Sequence, residues 1–166
     1  HKGMTGSGKL TRRDFFRKAA MGAASAVAAP YVLTGTALGA PGVPPASDRI
    51  TLGILGAGGR AGNFYGYSPI LAVCDVDRDR RLAAAKRIEG ISGTAGIKDY
   101  NDFRDVLARP DIDALIIAAP DHWHCQMSAM AALAGKDVYC EKPLTAYIRA
   151  GRLLSDLIAR AGTVFQ

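Results

Sequence analysis

Residues 137–145 read DVYCEKPLT. An apolar run, Val138-Tyr139-Cys140, gives way within three positions to a carboxylate, an ammonium and a proline. Taken alone, Glu141-Lys142-Pro143 describes a solvated turn, because Glu and Lys belong at surfaces and Pro ends strands. At the carboxyl edge of a parallel sheet, the same trio puts a lysine where ligands bind. There its ammonium can hydrogen-bond and polarise a substrate hydroxyl. The two readings differ only in what precedes the trio in space.

A second chemical stretch lies upstream. GAGGRAG (56–62) satisfies G-x-G-x-x-G/A through Gly56, Gly58 and Ala61, with Gly59 and Arg60 between them. The first glycine permits a tight turn, the second lets backbone approach a pyrophosphate, and the small third position lets a helix pack close to a strand. The next apolar run ends in Asp75, nineteen residues after Gly56. That is close to the spacing of about 20 for an acid that binds the adenosine ribose hydroxyls. A carboxylate there favours NAD, since the extra phosphate of NADP meets a like charge. Arg60 argues the other way, because a nearby arginine can receive that phosphate. An empty doubly wound domain, with Asp75 capping a strand end, is the plain alternative. In PDHWH (120–124) the histidines His122 and His124 stand at i, i+2, so they do not face one another on a helix and no shared metal site is indicated. Each reads equally as a capping or half-buried imidazole. Trp123 reads as packing or as the wall of a sugar site.

The elements that must position these residues alternate. ITLGIL (50–55), ILAVCD (70–75), DALIIAA (113–119) and DVYC (137–140) are short apolar runs of buried-strand type. Helices are predicted over 76–90, with Leu82, Ala85 and Ile88 inward, over 101–113 with Asn101 as cap and Pro110 as stop, and over 120–134. A last helix runs from a Thr145 cap to Ala161, with Leu153, Leu154, Leu157 and Ile158 on one face, and TVFQ (163–166) begins another strand. Alternation of this kind predicts an α/β fold, a Rossmann-type doubly wound parallel sheet. Only residues 56–69 join the first two strands, near the lower limit for a crossover, and Gly66 and Pro69 interrupt the helix expected there.

The net charge of +6 invites a polyanion partner, yet its distribution argues against one. Lys2, Lys9, Arg12, Arg13, Arg17 and Lys18 face only Asp14 before residue 40, and the remainder is nearly neutral. No nucleic-acid partner is expected. Paired arginines, a weakly apolar Ala/Gly run and a small-residue exit describe an export signal of twin-arginine type over 1–39. Residues 40–48 form a Pro/Gly/Ser linker, and 49–166 the nucleotide-binding domain. The apolar run is too weak for stable membrane insertion. Cys74, Cys125 and Cys140 lack metal-ligand spacing and are expected to pack rather than pair.

GAGGR, CDVD, PDHWH and YCEKPLT together resemble the Gfo/Idh/MocA (glucose–fructose oxidoreductase/inositol dehydrogenase) family, and in particular its exported members. The resemblance covers about residues 49–166. It implies an NAD(P)-dependent oxidoreductase acting by hydride transfer on a sugar, polyol or related hydroxyl compound, in a homo-oligomer exported to the periplasm. It implies that Lys142 sits beside the nicotinamide and substrate hydroxyl, with Glu141 and Pro143 positioning it. It further implies that Pro120, His122 and His124 lie near the nicotinamide ribose, and that Asp75 is the adenosine-ribose acid. Two departures stand out: the first helix region is short, and family members continue into a second α/β domain, so truncation before the C-terminal substrate domain is expected. An NAD-dependent glycoside hydrolase of the same superfamily and a non-catalytic nucleotide-binding fragment are the competing readings. The former lacks the Glu-Lys-Pro lysine.

Overall fold

The structure, a computed structural model, describes residues 45–67 and 69–166. The expected signal over 1–39 lies outside the described residues, as does most of the linker. Five parallel strands form one sheet: β1 Leu52–Leu55, β2 Ile70–Cys74, β3 Lys98–Tyr100, β4 Ala114–Ile117 and β5 Asp137–Cys140, in the order β3-β2-β1-β4-β5. The chain winds outward from β1 in one direction through β2 and β3, then returns to β1's other side with β4. The topological switch point therefore lies between β1 and β4, where open α/β sheets bind ligands.

Alternation within the strands explains their near-continuous apolar character. Ile54, Val73 and Ile116 face one side, where Ala84, Ala85 and Ile88 of helix α1 (Arg78–Ser92) cover them. Leu55, Cys74 and Ile117 face the other. There Phe103, Val106 and Leu107 of α2 (Phe103–Leu107) pack with Met127 and Ala131 of α3 (Asp121–Leu133). Successive residues point to opposite faces, and both faces are dry, so every position must be apolar. Helix α4 (Ile148–Ala161) packs against α3 rather than the sheet.

Several sequence expectations need correction. The first crossover carries no α-helix: Gly59–Phe64 is a six-residue 3-10 helix with no side-chain cap. Its cover is aromatic instead. Phe64 and Tyr65 are buried, and the Phe64 ring lies 5.2 Å from that of Tyr139 on β5. β3 was not expected, because Lys98-Asp99-Tyr100 is polar and only three residues long at the sheet edge. The helix expected over 101–113 shrinks to α2, capped by Asp102 rather than Asn101. Leu82 and Leu153 are exposed; Ala84 joins Ala85 and Ile88 inside, and Leu154 is buried as expected. Thr145 does not cap α4; its hydroxyl donates to the Tyr147 carbonyl at 3.1 Å, and the helix starts at Ile148. Phe165 bridges Val138 in parallel, as a following strand would.

Candidate functional site

Register alone assembles the site. Leu55 is paired with Cys74 and with Ile117, Cys74 with Tyr100, and Ile117 with Cys140, so five strands end abreast. The residues that follow emerge along one edge in the order Asn101, Asp75, Gly56, Ala118, Glu141. The ladder continues one step past the strands: Gly56 N–H donates to the Cys74 carbonyl at 2.8 Å and Ala118 N–H to Leu55 at 2.8 Å. Glu141 N–H likewise donates to Ile117 at 2.9 Å. The glycine loop and the Glu-Lys-Pro segment are thus pinned to the same sheet edge by main chain.

Gly56 must be glycine for two reasons. Its φ is +91°, and a Cβ there would stand 2.5 Å from the Ala119 backbone nitrogen. Gly58 and Gly59 are different: a Cβ at either would meet no protein atom within 4 Å, and both line an open cavity of about 730 Å³. That volume lies within the range of ligand pockets. Asp75 lines the same cavity. Its Oδ2 accepts from Ala57 N–H at 2.7 Å and its Oδ1 from Asp77 N–H at 2.9 Å. The carboxylate therefore braces the glycine loop and keeps lone pairs for ribose hydroxyls, since each oxygen accepts more than once. A glycine cradle open to solvent, with an acceptor-only carboxylate beside it, fits a dinucleotide.

Further wall residues come from the end of β3. Asn101, Asp102, Phe103 and Arg104 line the large cavity, and Trp123 stacks edge-on to Phe103 with ring centroids 6.2 Å apart. Sequence reasoning missed this wall because the strand that carries it gave no periodic signal; the Asp102 cap followed by Phe103 was the available clue. Arg81 ties this edge together, donating to Asp99 at 2.8 Å and to the Asp75 carbonyl and Asn101 Oδ1 at 3.3 Å. The Asp102 carboxyl is held below the usual range, chiefly by the Arg104 backbone N–H.

A smaller cavity of about 320 Å³ adjoins, lined by Arg60, Asp121, His124, Glu141, Lys142 and Pro143 among others. Lys142 is exposed on its rim, and the Lys142–Pro143 peptide is cis. Glu141 is buried, and its Oε1 pairs with Arg60 Nη2 at 2.8 Å. The Arg60 guanidinium beside it holds the Glu141 carboxyl below the usual range. This pairing corrects the view of Arg60 as a receiver of an adenosine 2′-phosphate: its guanidinium reaches toward β5, away from Asp75 in strand order. The basic side chains beside Asp75 are themselves paired, Arg80 with Asp77 and Arg81 with Asp99.

The histidines separate sharply. His122 is exposed, with Nδ1 3.8 Å from Asp121 Oδ1. His124 is 2% exposed; its Nδ1 lies 2.7 Å from the Pro143 carbonyl oxygen and its Nε2 2.7 Å from that of Ala119. The buried ring thus ties the loop after β4 to the loop after β5, and both nitrogens are engaged with main chain rather than turned to a ribose. Pro120 lines the large cavity and is the last residue before α3. Among the described residues, no group of His, Cys, Asp or Glu is placed to hold a metal ion. The three cysteines are free, and burial pushes the Cys74 thiol up to about 12.

A five-stranded parallel sheet with a glycine cradle and a strand-end carboxylate at its switch point defines a dinucleotide-binding Rossmann domain. Residues 50–166 match GFO_IDH_MocA, the oxidoreductase family with an NAD-binding Rossmann fold, and the chain belongs to that family. Over 156 residues it is 33% identical to the Glycosyl hydrolase family 109 protein 2 of Shewanella sp. (strain ANA-3), covering 82% of this chain and 34% of that protein. Over 85 residues it is 34% identical to an inositol 2-dehydrogenase of Salmonella typhimurium, covering 51% of this chain and 24% of that protein. The chain thus spans about a quarter to a third of these relatives' length. Among solved structures it resembles scyllo-inositol dehydrogenase from Lactobacillus casei, which carries bound NAD(H) and scyllo-inositol. That match has a TM-score of 0.60 and 28% identity, covering 70% of this chain and 35% of the other.

Proposed function

We propose that the chain is the cofactor-binding domain of an oxidoreductase that transfers hydride between NAD and a hydroxyl of a sugar or cyclic polyol. The observation that carries this reading is convergence: the glycine loop after β1 and Lys142 after β5 meet at one sheet edge, bordering adjoining cavities. Gly58, Gly59 and Asp75 would hold the dinucleotide, whose nicotinamide accepts or supplies the hydride. Lys142 donates a hydrogen bond to the substrate oxygen, orients the alcohol and stabilises negative charge as it develops there. His124 and Glu141 hold the lysine's segment in place. The relatives named for inositol oxidation support a cyclic polyol as substrate class.

Coverage of 82% of this chain by a glycosyl hydrolase family 109 protein favours a second reading, glycoside cleavage through transient oxidation. Lys142 speaks for the first. The test is calorimetric titration of the protein with NAD and NADP, followed by an assay of inositols and simple glycosides. NAD binding that survives Lys142→Ala within about twofold, with alcohol oxidation lost by a factor of roughly 100 or more, supports the dehydrogenase. Glycoside cleavage with no net NADH supports the hydrolase. We further propose export through residues 1–39, on the strength of Arg12-Arg13 and the apolar run behind them. Retention in the cytoplasm of Arg12→Lys/Arg13→Lys, with the parent exported, is the expected result.

A further inference from the structure

Arg60 belongs to the glycine loop yet ends on Glu141, and it lines both cavities. The two partners differ in exposure: the Arg60 side chain is 56% exposed and that of Glu141 5%. A carboxylate so enclosed needs a cation or loses its charge. Arg60 supplies that cation, lies over the Phe64 ring with its guanidinium carbon 5.9 Å from the centroid, and lines the large cavity together with Gly58 and Gly59. A guanidinium has five N–H groups in a rigid fork, so one end can hold a carboxylate while the other meets a second anion.

We propose that Arg60 is a positioning residue that couples cofactor occupancy to the lysine: one end of its fork holds Glu141, and the other receives the diphosphate of the dinucleotide. This rests on the reading that the large cavity takes NAD. Occupancy of the cradle then fixes the guanidinium, and through Glu141 the segment that carries Lys142. Without Arg60 the diphosphate loses a donor and also meets a carboxylate that has lost its ion-pair partner. The consequence of losing Arg60 therefore depends on whether residue 141 is charged. A purely structural arginine has no such dependence.

The test titrates NAD into the wild type, Arg60→Ala, Arg60→Lys, Glu141→Gln and the Arg60→Ala/Glu141→Gln double variant, with circular dichroism as the folding control. One charge-assisted hydrogen bond corresponds to about tenfold in affinity. Arg60→Ala is expected to weaken NAD by about tenfold or more in the wild-type background and by about threefold in the Glu141→Gln background, with Arg60→Lys recovering part of the loss. An equal loss in both backgrounds, or no loss in either, overturns the coupling while leaving NAD binding intact. A folded wild-type protein that binds no NAD overturns the cofactor reading and the coupling with it.

Discussion

The two flanks of the switch point solve one problem in different ways. Between β4 and β5 the crossover is a thirteen-residue α-helix, and its Met127 and Ala131 cover the sheet. Between β1 and β2 it is a six-residue 3-10 helix, and two aromatic side chains take the place of helical cover. On the long side, packing is spread over many residues and the loop is held by His124. On the short side it is concentrated in Phe64 and Tyr65, and the loop is held by a strand-end carboxylate, Asp75. Where the chain cannot afford a helix, a few large side chains and one charged brace must do its work.

That contrast can be broken most directly at Phe64. Its truncation to Ala is expected to cost about 3 kcal/mol or more in urea unfolding, because a buried aromatic leaves a void its short connector cannot close. The same truncation at Leu133, on the helical side but 72% exposed, should stay within about 0.5 kcal/mol. Equal costs would mean the aromatic cover is dispensable.

Within the glycine loop the comparison sharpens. Gly56→Ala forces a Cβ into the Ala119 backbone at positive φ and should destabilise by roughly 2–3 kcal/mol, with NAD binding lost as well. Gly58→Ala has open space around it, so unfolding should be unchanged while NAD titration shows weaker binding. A stability loss at Gly58, or none at Gly56, contradicts the division between tight turn and cradle.

Smaller effects follow. Asp77 accepts from Asp79 and Arg80 N–H at the start of α1, and Asp77→Ala should cost about 1 kcal/mol in thermal unfolding. The Glu141 carboxyl, depressed by Arg60, contributes stability above the ordinary glutamate value of 4.5 and loses it as pH falls through its lower folded value. Glu141→Gln should therefore flatten the acid limb of a stability-versus-pH curve and leave the region above pH 6 unaltered in shape. Least of all, native thiol labelling at pH 8 should be slow at Cys74, whose burial disfavours the thiolate, and fast once the chain is unfolded.

Much of this molecule can be read directly from its residues. Four apolar runs bounded by glycine, proline and aspartate mark four of five strands, because a strand dry on both faces must be apolar throughout. The glycine spacing and Asp75 mark the cradle, since close backbone approach and ribose hydroxyls demand those residue types. β3 escaped because three polar residues at a sheet edge carry no pattern. The roles of Arg60, Glu141 and His124 escaped for another reason. Each depends on which loops become neighbours when parallel strands align in register, and residues 60 and 141 stand far apart in the chain. Sequence determines what each strand end can do chemically; only the sheet order decides which ends meet, because hydrogen-bonded register, not local composition, sets the distance between them.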